Sequence, residues 1–361
     1  MHRLLVINPG STSTKVAVFE DEQPLFVETL RHSSQDIAAV PQVLDQYEFR
    51  LHSVLELLRS RGIPVSSLAA VVARGGLLRP IAGGTYSVNS KMVEELSRRN
   101  AEREHASGLG APLADEIAGL AGIPAYIVDP VCVDEFDELA RVSGLPEIER
   151  RSLSHALNLK AVARRASEEL SRPYSELSLI IAHMGGGISV TAHRRGKMVD
   201  VNQALDGTGP FAPERAGGLP VGDVVRMCFG VHPYESLQLT SEDMFKKLAG
   251  QGGLVAHLGT NDAVEVEARI KAGDARARLV YQAMAYQVAK EIGAMATVLK
   301  GQIDAIIFTG GLAHSELLLT WIKERVAWIG PVRVYPGEDE MLALAQGALR
   351  VLQGEEQAKV Y

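Results

Sequence analysis

Short apolar segments that end in polar, glycine-containing turns open the chain and predict β-strands. Residues 4–8, 15–20 and 25–30 are three such segments, and the second is rich in β-branched residues. Apolar runs of this length, bounded by turn residues, are typical of strands. The first turn, residues 8–15, reads Asn-Pro-Gly-Ser-Thr-Ser-Thr-Lys and leads straight into the second strand. We therefore predict that the chain begins with three strands joined by tight turns.

The same order returns in the second half of the chain. An apolar run at 179–183 ends in three glycines at 185–187, and shorter apolar runs follow at 188–192 and 198–201. A third apolar run, 303–309, also ends in a glycine pair but leads into a helix at Ser315. An internal duplication of a βββαβα unit predicts a two-lobed α/β protein with a central cleft, in which ligands bind where strands end. One large α/β sheet with unrelated loops is the alternative.

Helical spacing and helix-ending residues place the remaining elements between these strands. Helices are predicted at about 40–59, 89–99, 111–120, 152–170, 275–299 and 340–352, with further strands at 68–73 and 125–128 and a loop at 83–86. Because the pattern restarts near residue 150, we predict two domains. The first covers 1–150, with the terminal segment 340–361 packing back onto it, and the second, which binds nucleotide, covers 151–339.

Composition narrows the class of protein. The chain has 361 residues, of which 46% are hydrophobic and 22% charged, as in ordinary globular proteins. Its formal net charge of −7 argues against a general nucleic-acid binder, which carries a basic surplus. No apolar run reaches membrane-spanning length, so no membrane partner is expected. Two distant cysteines, Cys132 and Cys228, are interpreted as reduced core residues of a cytoplasmic protein.

The first turn has the chemistry of a phosphate-binding loop. Gly10 allows backbone N–H groups to come close to a ligand, Ser11 and Ser13 offer hydroxyls, and Lys15 brings a positive charge. A Walker A loop would need Gly-Lys-Ser/Thr at the start of a helix, whereas Lys15 opens a strand. An ordinary polar hairpin remains the alternative on this stretch alone.

Seven segments, in this order along nearly the whole chain, resemble the acetate and butyrate kinase family of the sugar kinase, heat-shock chaperone and actin superfamily. They are residues 8–15, 73–80, 83–86, 183–190, 213–215, 308–312 and 336–340. The match is closest to the butyrate kinases. Acetate kinases carry His-Gly-Gly where this chain has Arg74-Gly75-Gly76, and His-Leu-Gly-Asn-Gly at 183–187. These departures argue against acetate as the preferred substrate.

The resemblance implies a duplicated actin-like ATPase fold and reversible phosphoryl transfer between ATP and a fatty-acid carboxylate. The expected products are ADP and an acyl phosphate, with butyrate or a similar acid as substrate and Mg²⁺ as the metal. The resemblance also implies a homo-oligomer, at least a dimer.

Four residues are the candidates for catalysis: Arg74, Asp129, His183 and Arg215. Phosphoryl transfer passes through a loose, charge-rich state, so the protein must supply positioning and positive charge. Arginine can present a planar fork to a carboxylate or phosphate. A carboxylate acceptor is already ionised at neutral pH and needs no general base. Asp129 is therefore assigned to magnesium, its waters or orientation, with a cap on the turn before Pro130 as the structural alternative.

The nucleotide and the metal have their own candidates. Residues expected to contact ATP are Asn8, Gly10, Ser11, Ser13, Lys15, His183, Gly185, Gly186, Gly187, Gly310 and Gly311. Gly310 and Gly311 resemble the adenosine-contacting turn of the superfamily. The resemblance implies a magnesium glutamate at Glu338 or Glu340, with Asp129 as a further candidate, and the sequence does not distinguish the two glutamates.

Three other functions stay open. A kinase for propionate or branched acids differs only in its acid pocket, which the sequence does not define. A chaperone-type ATPase on the same scaffold would need an appended substrate domain, and after Pro336 only a short helix remains. A sugar kinase would need a catalytic base for a neutral hydroxyl, and Asp129 is a residue that could serve.

Overall fold

The computed structural model describes residues 1–33, 37, 40, 42–98 and 106–361. The chain divides into two compact units. Unit 1 contains residues 1–133, 156–158 and 339–361, and unit 2 contains 134–155 and 159–338. The predicted division of the chain into two domains at residue 150 stays a prediction.

The strands and helices of the described chain have the following bounds. The strands are β1 (Arg3–Pro9), β2 (Ser13–Glu20), β3 (Gln23–Arg31), β4 (Ala70–Arg74), β5 (Thr85–Ser87), β6 (Ala125–Val128), β7 (Ser178–Met184), β8 (Ile188–Arg194), β9 (Lys197–Val201), β10 (Ala305–Gly310), β11 (Val332–Pro336) and β12 (Lys359–Val360). The helices are α1 (Tyr47–Ser60), α2 (Ser90–Ser97), α3 (Gly110–Gly119), α4 (Glu138–Arg141), α5 (Ala156–Leu170), α6 (Val221–Cys228), α7 (Ser241–Leu248), α8 (Gly253–Leu258), α9 (Ala263–Lys271), α10 (Ala275–Val298), α11 (Glu316–Val326) and α12 (Glu340–Leu352). Short 3-10 helices cover Val43–Gln46, Val65–Ser67, Ala106–Leu109, Tyr174–Glu176 and Gly311–His314.

Unit 1 is built on a seven-stranded sheet with the order β12-β5-β6-β4-β1-β2-β3. Strands β1 to β3 form an antiparallel meander, whereas β4 runs parallel to β1 and β6 runs parallel to β4. Helix α12, from the far end of the sequence, packs on β1, β4 and β6. Parallel strands need crossover connections, which the intervening helices provide. The carboxyl ends of β1 and β4 therefore lie side by side near the start of α12.

Unit 2 is built on a five-stranded sheet with the order β11-β10-β7-β8-β9. Strands β7 to β9 form an antiparallel meander, and β10 runs parallel to both β7 and β11. Strands β7, β8 and β10 are buried almost throughout, which explains why their sequences are continuous apolar runs. Both sheets thus combine a three-stranded meander with parallel strands on one side, which confirms the predicted α/β class and its repeated strand order.

Several predicted elements differ from the structure at their ends. The helix expected from about residue 40 begins at Tyr47, after a 3-10 turn, and residue 41 lies outside the described residues. The helix expected at 89–99 ends at Ser97, and residue 99 is also outside them. The helix expected from 152 begins at Ala156, because the preceding His155 has a non-helical ψ of 54°.

Two interpretations of the sequence are wrong. The loop expected at 83–86 contains the start of β5, whose Thr85–Ser87 pairs antiparallel with β6. Cys132 is buried as expected, but Cys228 at the end of α6 is exposed and so is not a core residue. In the described residues no helix is both long enough and apolar enough to cross a membrane.

Candidate functional site

In unit 1, three of the predicted site residues meet where β1 and β4 end. The side-chain amide of Asn8 donates to Glu340 Oε2 at 2.6 Å. Arg74 Nη1 lies 3.0 Å from Glu340 Oε1 and 3.2 Å from Oε2. Lys15 pairs with Asn8 in the β1–β2 register, so both side chains project from the same face of the sheet, and Lys15 is exposed. The result is a polar cluster with two cations and one carboxylate.

Arg74 uses only some of its hydrogen-bond donors in contacts with the described residues. Its Nη1 group meets Glu340, whereas its Nε and Nη2 groups have no protein acceptor among the residues that the structure describes. Arginine carries five N–H donors in a planar fork. Arg74 therefore presents unused donors at the carboxyl end of β4, a position suited to a carboxylate or phosphoryl oxygen.

The turn between β1 and β2 is closed by a hydrogen bond from Gly10 N to Ser13 O at 2.8 Å. A Cβ atom built on Gly10 would meet its nearest neighbours, Ser13 O and Oγ, at 3.5 and 3.7 Å, which is ordinary contact. The folded chain therefore does not itself require glycine at this position. Ser11 is exposed and Ser13 half-buried, so their groups are accessible beside Gly10. The missing side chain leaves room for a close ligand.

Asp129 occupies a structurally constrained position after β6. It is 1% exposed and has a positive φ of 38°, which is uncommon for a residue other than glycine. Its Oδ1 accepts the N–H of Gly84 at 2.7 Å, and its own N–H donates to Gly84 O at 3.0 Å. These reciprocal bonds join the end of β6 to the loop before β5. They support the structural alternative, while the role with magnesium or in catalysis stays a prediction.

In unit 2, His183 lies near the end of β7 and is 1% exposed. Its Nε2 atom is 3.2 Å from Glu338 Oε1. The ring of His155 stacks on that of His183 with centroids 3.9 Å apart and an angle of 18° between the planes. His155 Nδ1 is in turn 2.9 Å from Ser189 Oγ. The stack and the Glu338 contact together fix the orientation of the His183 ring.

Sequence reasoning missed His155. It follows neither an apolar strand nor a glycine turn, which are the signals that identified His183. Its position just before α5 carries no local mark of a site, and its contacts with His183 on β7 and Ser189 on β8 join residues that are far apart in the sequence.

The glycine turn at 185–187 is covered by residues 214 and 215. Gly185 N donates to Gly187 O at 3.0 Å, and Glu214 N donates to Gly186 O at 3.2 Å. A Cβ atom on Gly187 would lie 2.1 Å from Arg215 Nη1, so the guanidinium occupies the space that a side chain would take. Gly187 is thus required by Arg215. A Cβ atom on Gly185 would have ordinary contacts from 3.4 Å, whereas one on Gly186 would lie 3.3 Å from Glu214 Oε2, a tight contact with the end of a flexible side chain.

Arg215 is held beside this turn by a hydrogen bond from Nη1 to Ala204 O. Burial lowers the pKa of its guanidinium from the usual value, and the charges of Glu214 and Asp206 act in the opposite direction. The structure therefore places a half-buried cation beside the 185–187 turn, and its contact with phosphate stays a prediction.

The glycine pair after β10 has two different structural roles. Gly310 has a φ of 87°, and a Cβ atom there would be 2.5 Å from Met184 O, so the fold requires this glycine. Gly310 also exchanges two backbone hydrogen bonds with Gly337, at 3.1 and 3.0 Å, which brings Glu338 next to β7. Around Gly311, by contrast, no atom lies within 4 Å of a built Cβ. Open space at Gly311 is compatible with the expected adenosine contact.

The two candidate magnesium glutamates have different surroundings. Glu338 lies in unit 2 beside His183, and Glu340 lies in unit 1 between Asn8 and Arg74. Within the described ranges no group of three or more His, Cys, Asp or Glu side chains is placed to hold a metal ion. Mg²⁺ nevertheless accepts one or two carboxylates when phosphates and water supply its other ligands. Both oxygens of the Glu340 carboxylate contact donors, the Asn8 amide and Arg74, so Mg²⁺ at Glu340 would have to replace some of these contacts.

Comparison with known proteins agrees with this geometry. Residues 148–325 match the acetokinase family. An acetate kinase structure from Porphyromonas gingivalis has a TM-score of 0.78 at 20% identity and covers 98% of this chain and 100% of its own. A propionate kinase structure from Francisella tularensis has a TM-score of 0.76 at 19% identity, covering 96% and 99%. An acetate kinase structure from Entamoeba histolytica has a TM-score of 0.71 at 16% identity, also covering 96% and 99%. The likeness to these structures establishes that this chain shares their two-sheet α/β fold.

Proposed function

We propose that this protein, which has an acetokinase-family domain at residues 148–325, is a short-chain fatty-acid kinase that acts on butyrate. The reaction is reversible transfer of the γ-phosphoryl group of ATP to butyrate, which gives ADP and butyryl phosphate. The observation that carries the proposal is the unused part of the Arg74 fork at the end of β4, beside Asn8 and Glu340. A planar cation of this kind binds a carboxylate or a phosphoryl group in a defined orientation.

The chemistry needs charge and alignment rather than proton removal. A carboxylate oxygen of the acid attacks the γ-phosphorus as the bond to the β–γ bridging oxygen breaks, and ADP leaves with the electron pair. The acid is ionised at neutral pH, so no base takes a proton. In this proposal Arg74 and Arg215 stabilise the charge on the transferring group, and His183 donates to it. Lys15 neutralises charge on the phosphates.

The glycines support the assignment of the nucleotide contacts. Gly10 and Gly186 are not required by a positive φ or by a severe clash, and Gly311 faces open space. A ligand that approaches the backbone closely explains why these positions lack side chains. We propose that the turns at 8–15 and 185–187 bind phosphate and that Gly310 and Gly311 adjoin the adenosine.

We assign magnesium to Glu340, where the ion would replace part of the carboxylate's contacts with Asn8 and Arg74. When bound, Mg²⁺ would neutralise phosphate charge and orient the transferring group. Glu338 is placed beside His183 and is the second candidate. Asp129 already accepts the N–H of Gly84, so we assign it to orientation of its loop.

Butyrate is preferred over acetate in this proposal because Arg74-Gly75-Gly76 replaces the His-Gly-Gly of acetate kinases. Propionate and branched acids are the nearest alternatives. The proposal also includes a cytoplasmic homo-oligomer, at least a dimer. Sedimentation at several protein concentrations tests the assembly, and a monomer at all of them would remove that part.

Trapping of the acyl phosphate with hydroxylamine is the direct test. The protein is incubated with ATP and Mg²⁺ and, in parallel, acetate, propionate, butyrate, isobutyrate or a hexose. We expect hydroxamate with the short-chain acids, with the highest kcat/KM for butyrate. Absence of acid-dependent hydroxamate in both reaction directions would overturn the proposal.

A sugar kinase and a chaperone-type ATPase predict other outcomes. A sugar kinase would release ADP with the hexose and lose all activity in Asp129→Asn, whatever metal is added, because its base is gone. The fatty-acid kinase needs no base, and asparagine keeps an oxygen that can accept the Gly84 N–H, so acid-dependent activity should remain in this variant. A chaperone-type ATPase would release phosphate with no dependence on acid. The near-complete burial of Asp129 favours the acid kinase over the sugar kinase.

A further inference from the structure

Arg50 on α1 is a fully buried arginine directly behind the 8–15 turn. Its exposed fraction is 0%. Charged side chains are almost never fully buried unless they are paired with an opposite charge. Within the part of the chain that the structure describes, no carboxylate lies within ion-pair distance of Arg50. A buried cation of this kind needs another explanation.

All five N–H groups of Arg50 are bonded to neutral acceptors. Its Nε and Nη2 groups donate to Gln46 Oε1 at 3.1 and 2.7 Å. Its Nη1 group donates to Ser13 O at 3.0 Å and to Thr14 Oγ1 at 2.9 Å. Nη2 also donates to Ser11 O at 3.2 Å. The hydrogen-bonding capacity of the guanidinium is therefore satisfied while its charge is not compensated.

These bonds define the backbone of the turn. In a trans peptide the C=O of one residue and the N–H of the next point in opposite directions. Because Ser11 O points to Arg50, the N–H of Thr12 points away from it. The N–H groups of Ser11 and Thr12 are exposed and have no protein acceptor among the described residues. Successive unpaired backbone N–H groups form a concavity that binds anions.

We infer that Arg50 is a positioning residue for the phosphates of the nucleotide, through both the peptide planes it fixes and the uncompensated charge it places behind the turn. The inference rests on the proposed function in assuming that the 8–15 turn binds ATP. In a low-dielectric interior such a charge acts strongly on a nearby anion. The phosphate would supply the negative charge that Arg50 lacks within the protein. Arg50 itself does not touch the ligand.

Gln46→Glu separates the charge of Arg50 from its geometry. Glutamate has the same length as glutamine, and its carboxylate still accepts both bonds from Arg50 while it cancels the positive charge. Only the bond from Gln46 Nε2 to Val40 O, at 3.3 Å, is lost. We expect the dissociation constant for ATP to rise roughly tenfold, with no loss of thermal stability. KM for ATP should rise more than kcat falls, because the change acts on phosphate binding. A purely structural Arg50 would show no such weakening.

Arg50→Lys and Arg59→Gln complete the experiment. Lysine keeps the charge but not the fork, so we expect ATP affinity between those of the parent and Arg50→Met. Arg59 is exposed on the same helix, and Arg59→Gln should bind ATP within about twofold of the parent. Because Arg50→Met removes five hydrogen bonds and can unfold unit 1, the decisive variant is Gln46→Glu.

Calorimetric titration with ATP and Mg²⁺, without acid, keeps this inference separate from the proposed reaction. Unchanged ATP affinity in a folded Gln46→Glu protein would overturn the inference, even if the parent makes acyl phosphate. A parent that binds ATP more tightly than Gln46→Glu but makes no acyl phosphate would overturn the proposed reaction and support the role of Arg50. A parent that binds no nucleotide would overturn both.

Discussion

Replacement of Gly10 by alanine should stabilise the protein and weaken ATP binding at the same time. The backbone at Gly10 is not in the left-handed region, and an added Cβ would have its nearest contacts at 3.5 and 3.7 Å. Alanine at such a position reduces the entropy of the unfolded chain and adds about 0.4–1 kcal/mol to the free energy of unfolding. For a unit of this size that corresponds to a rise in Tm of about 1–4 °C.

The expected loss of affinity follows from the phosphate contact. If the methyl group displaces one phosphate oxygen from the backbone, the complex loses a hydrogen bond to a charged group. Such a bond contributes about 1.5–3 kcal/mol, which corresponds to roughly tenfold to hundredfold weaker binding. Larger side chains should act more strongly, so Gly10→Val should bind ATP still less well while remaining folded.

Thermal unfolding without ligand and calorimetric titration with ATP measure the two effects separately. Gly119→Ala is the matched control, because Gly119 is exposed at the end of α3 with no atom within 4 Å of a built Cβ. It should raise Tm by a similar amount and leave ATP affinity unchanged. A Gly10→Ala protein with raised Tm and parental ATP affinity would refute the phosphate assignment of the first turn. A lowered Tm would refute the inference that the fold tolerates a side chain there.

Three further predictions concern the rate and the pH dependence of stability. Arg74→Ala and Arg215→Ala should each lower kcat by about a hundredfold to a thousandfold with little change in ATP affinity, and near-normal turnover in both would remove them from the site. Gly187→Ala should reproduce part of the Arg215→Ala defect, because its Cβ would displace the guanidinium, and the double variant should be no worse than Arg215→Ala alone in steady-state kinetics. Burial holds the pKa of His193 well below 6.5, so the unfolded chain binds a proton that the folded one does not as pH falls below that value. The free energy of unfolding in urea should therefore fall by about 1 kcal/mol between pH 7 and 5.5, and an unchanged pH dependence in His193→Gln would contradict the assignment.

The parts of the site that the sequence predicts are those built from local patterns. Apolar runs before the turns at 8–15, 185–187 and 310–311 predict strands, and the structure has a strand before each turn. The helix predicted at 340–352 is observed with these ends, and in the structure Asp339 caps it. Local chemistry and secondary structure are encoded within a few residues.

The parts that sequence reasoning missed depend on contacts between distant segments. From the sequence, Arg50 looks like an ordinary polar residue on the exposed side of a helix. It is buried because α1 packs behind the first turn, where Arg50 bonds to Ser13 O. The stack of His155 on His183 joins the residue before α5 to β7, a contact that no local pattern marks. Glu338 and Glu340 are two residues apart, yet they belong to different units and meet different partners. Such separations are set by strand register and tertiary packing.

Helices α6 to α9, between 221 and 271, were also not predicted. Helix α6 buries none of its residues, so its apolar positions do not mark a core face in the way that those of α10 do. Hydrophobic periodicity identifies helices through the face that they bury, and it is a weak signal where little is buried.

Unit 1 is formed by early and late segments of the chain, and this determines when its site can form during synthesis. The ribosome makes the chain from the amino end at about 5–20 residues per second, and compact units fold as they emerge. All residues of unit 2 have been synthesised when the ribosome reaches residue 338, whereas unit 1 also needs residues 339–361. Asn8 and Arg74 are made early but meet Glu340 only after most of the chain has left the ribosome. A nascent or prematurely terminated chain that stops before this helix lacks the carboxylate around which the unit 1 cluster forms.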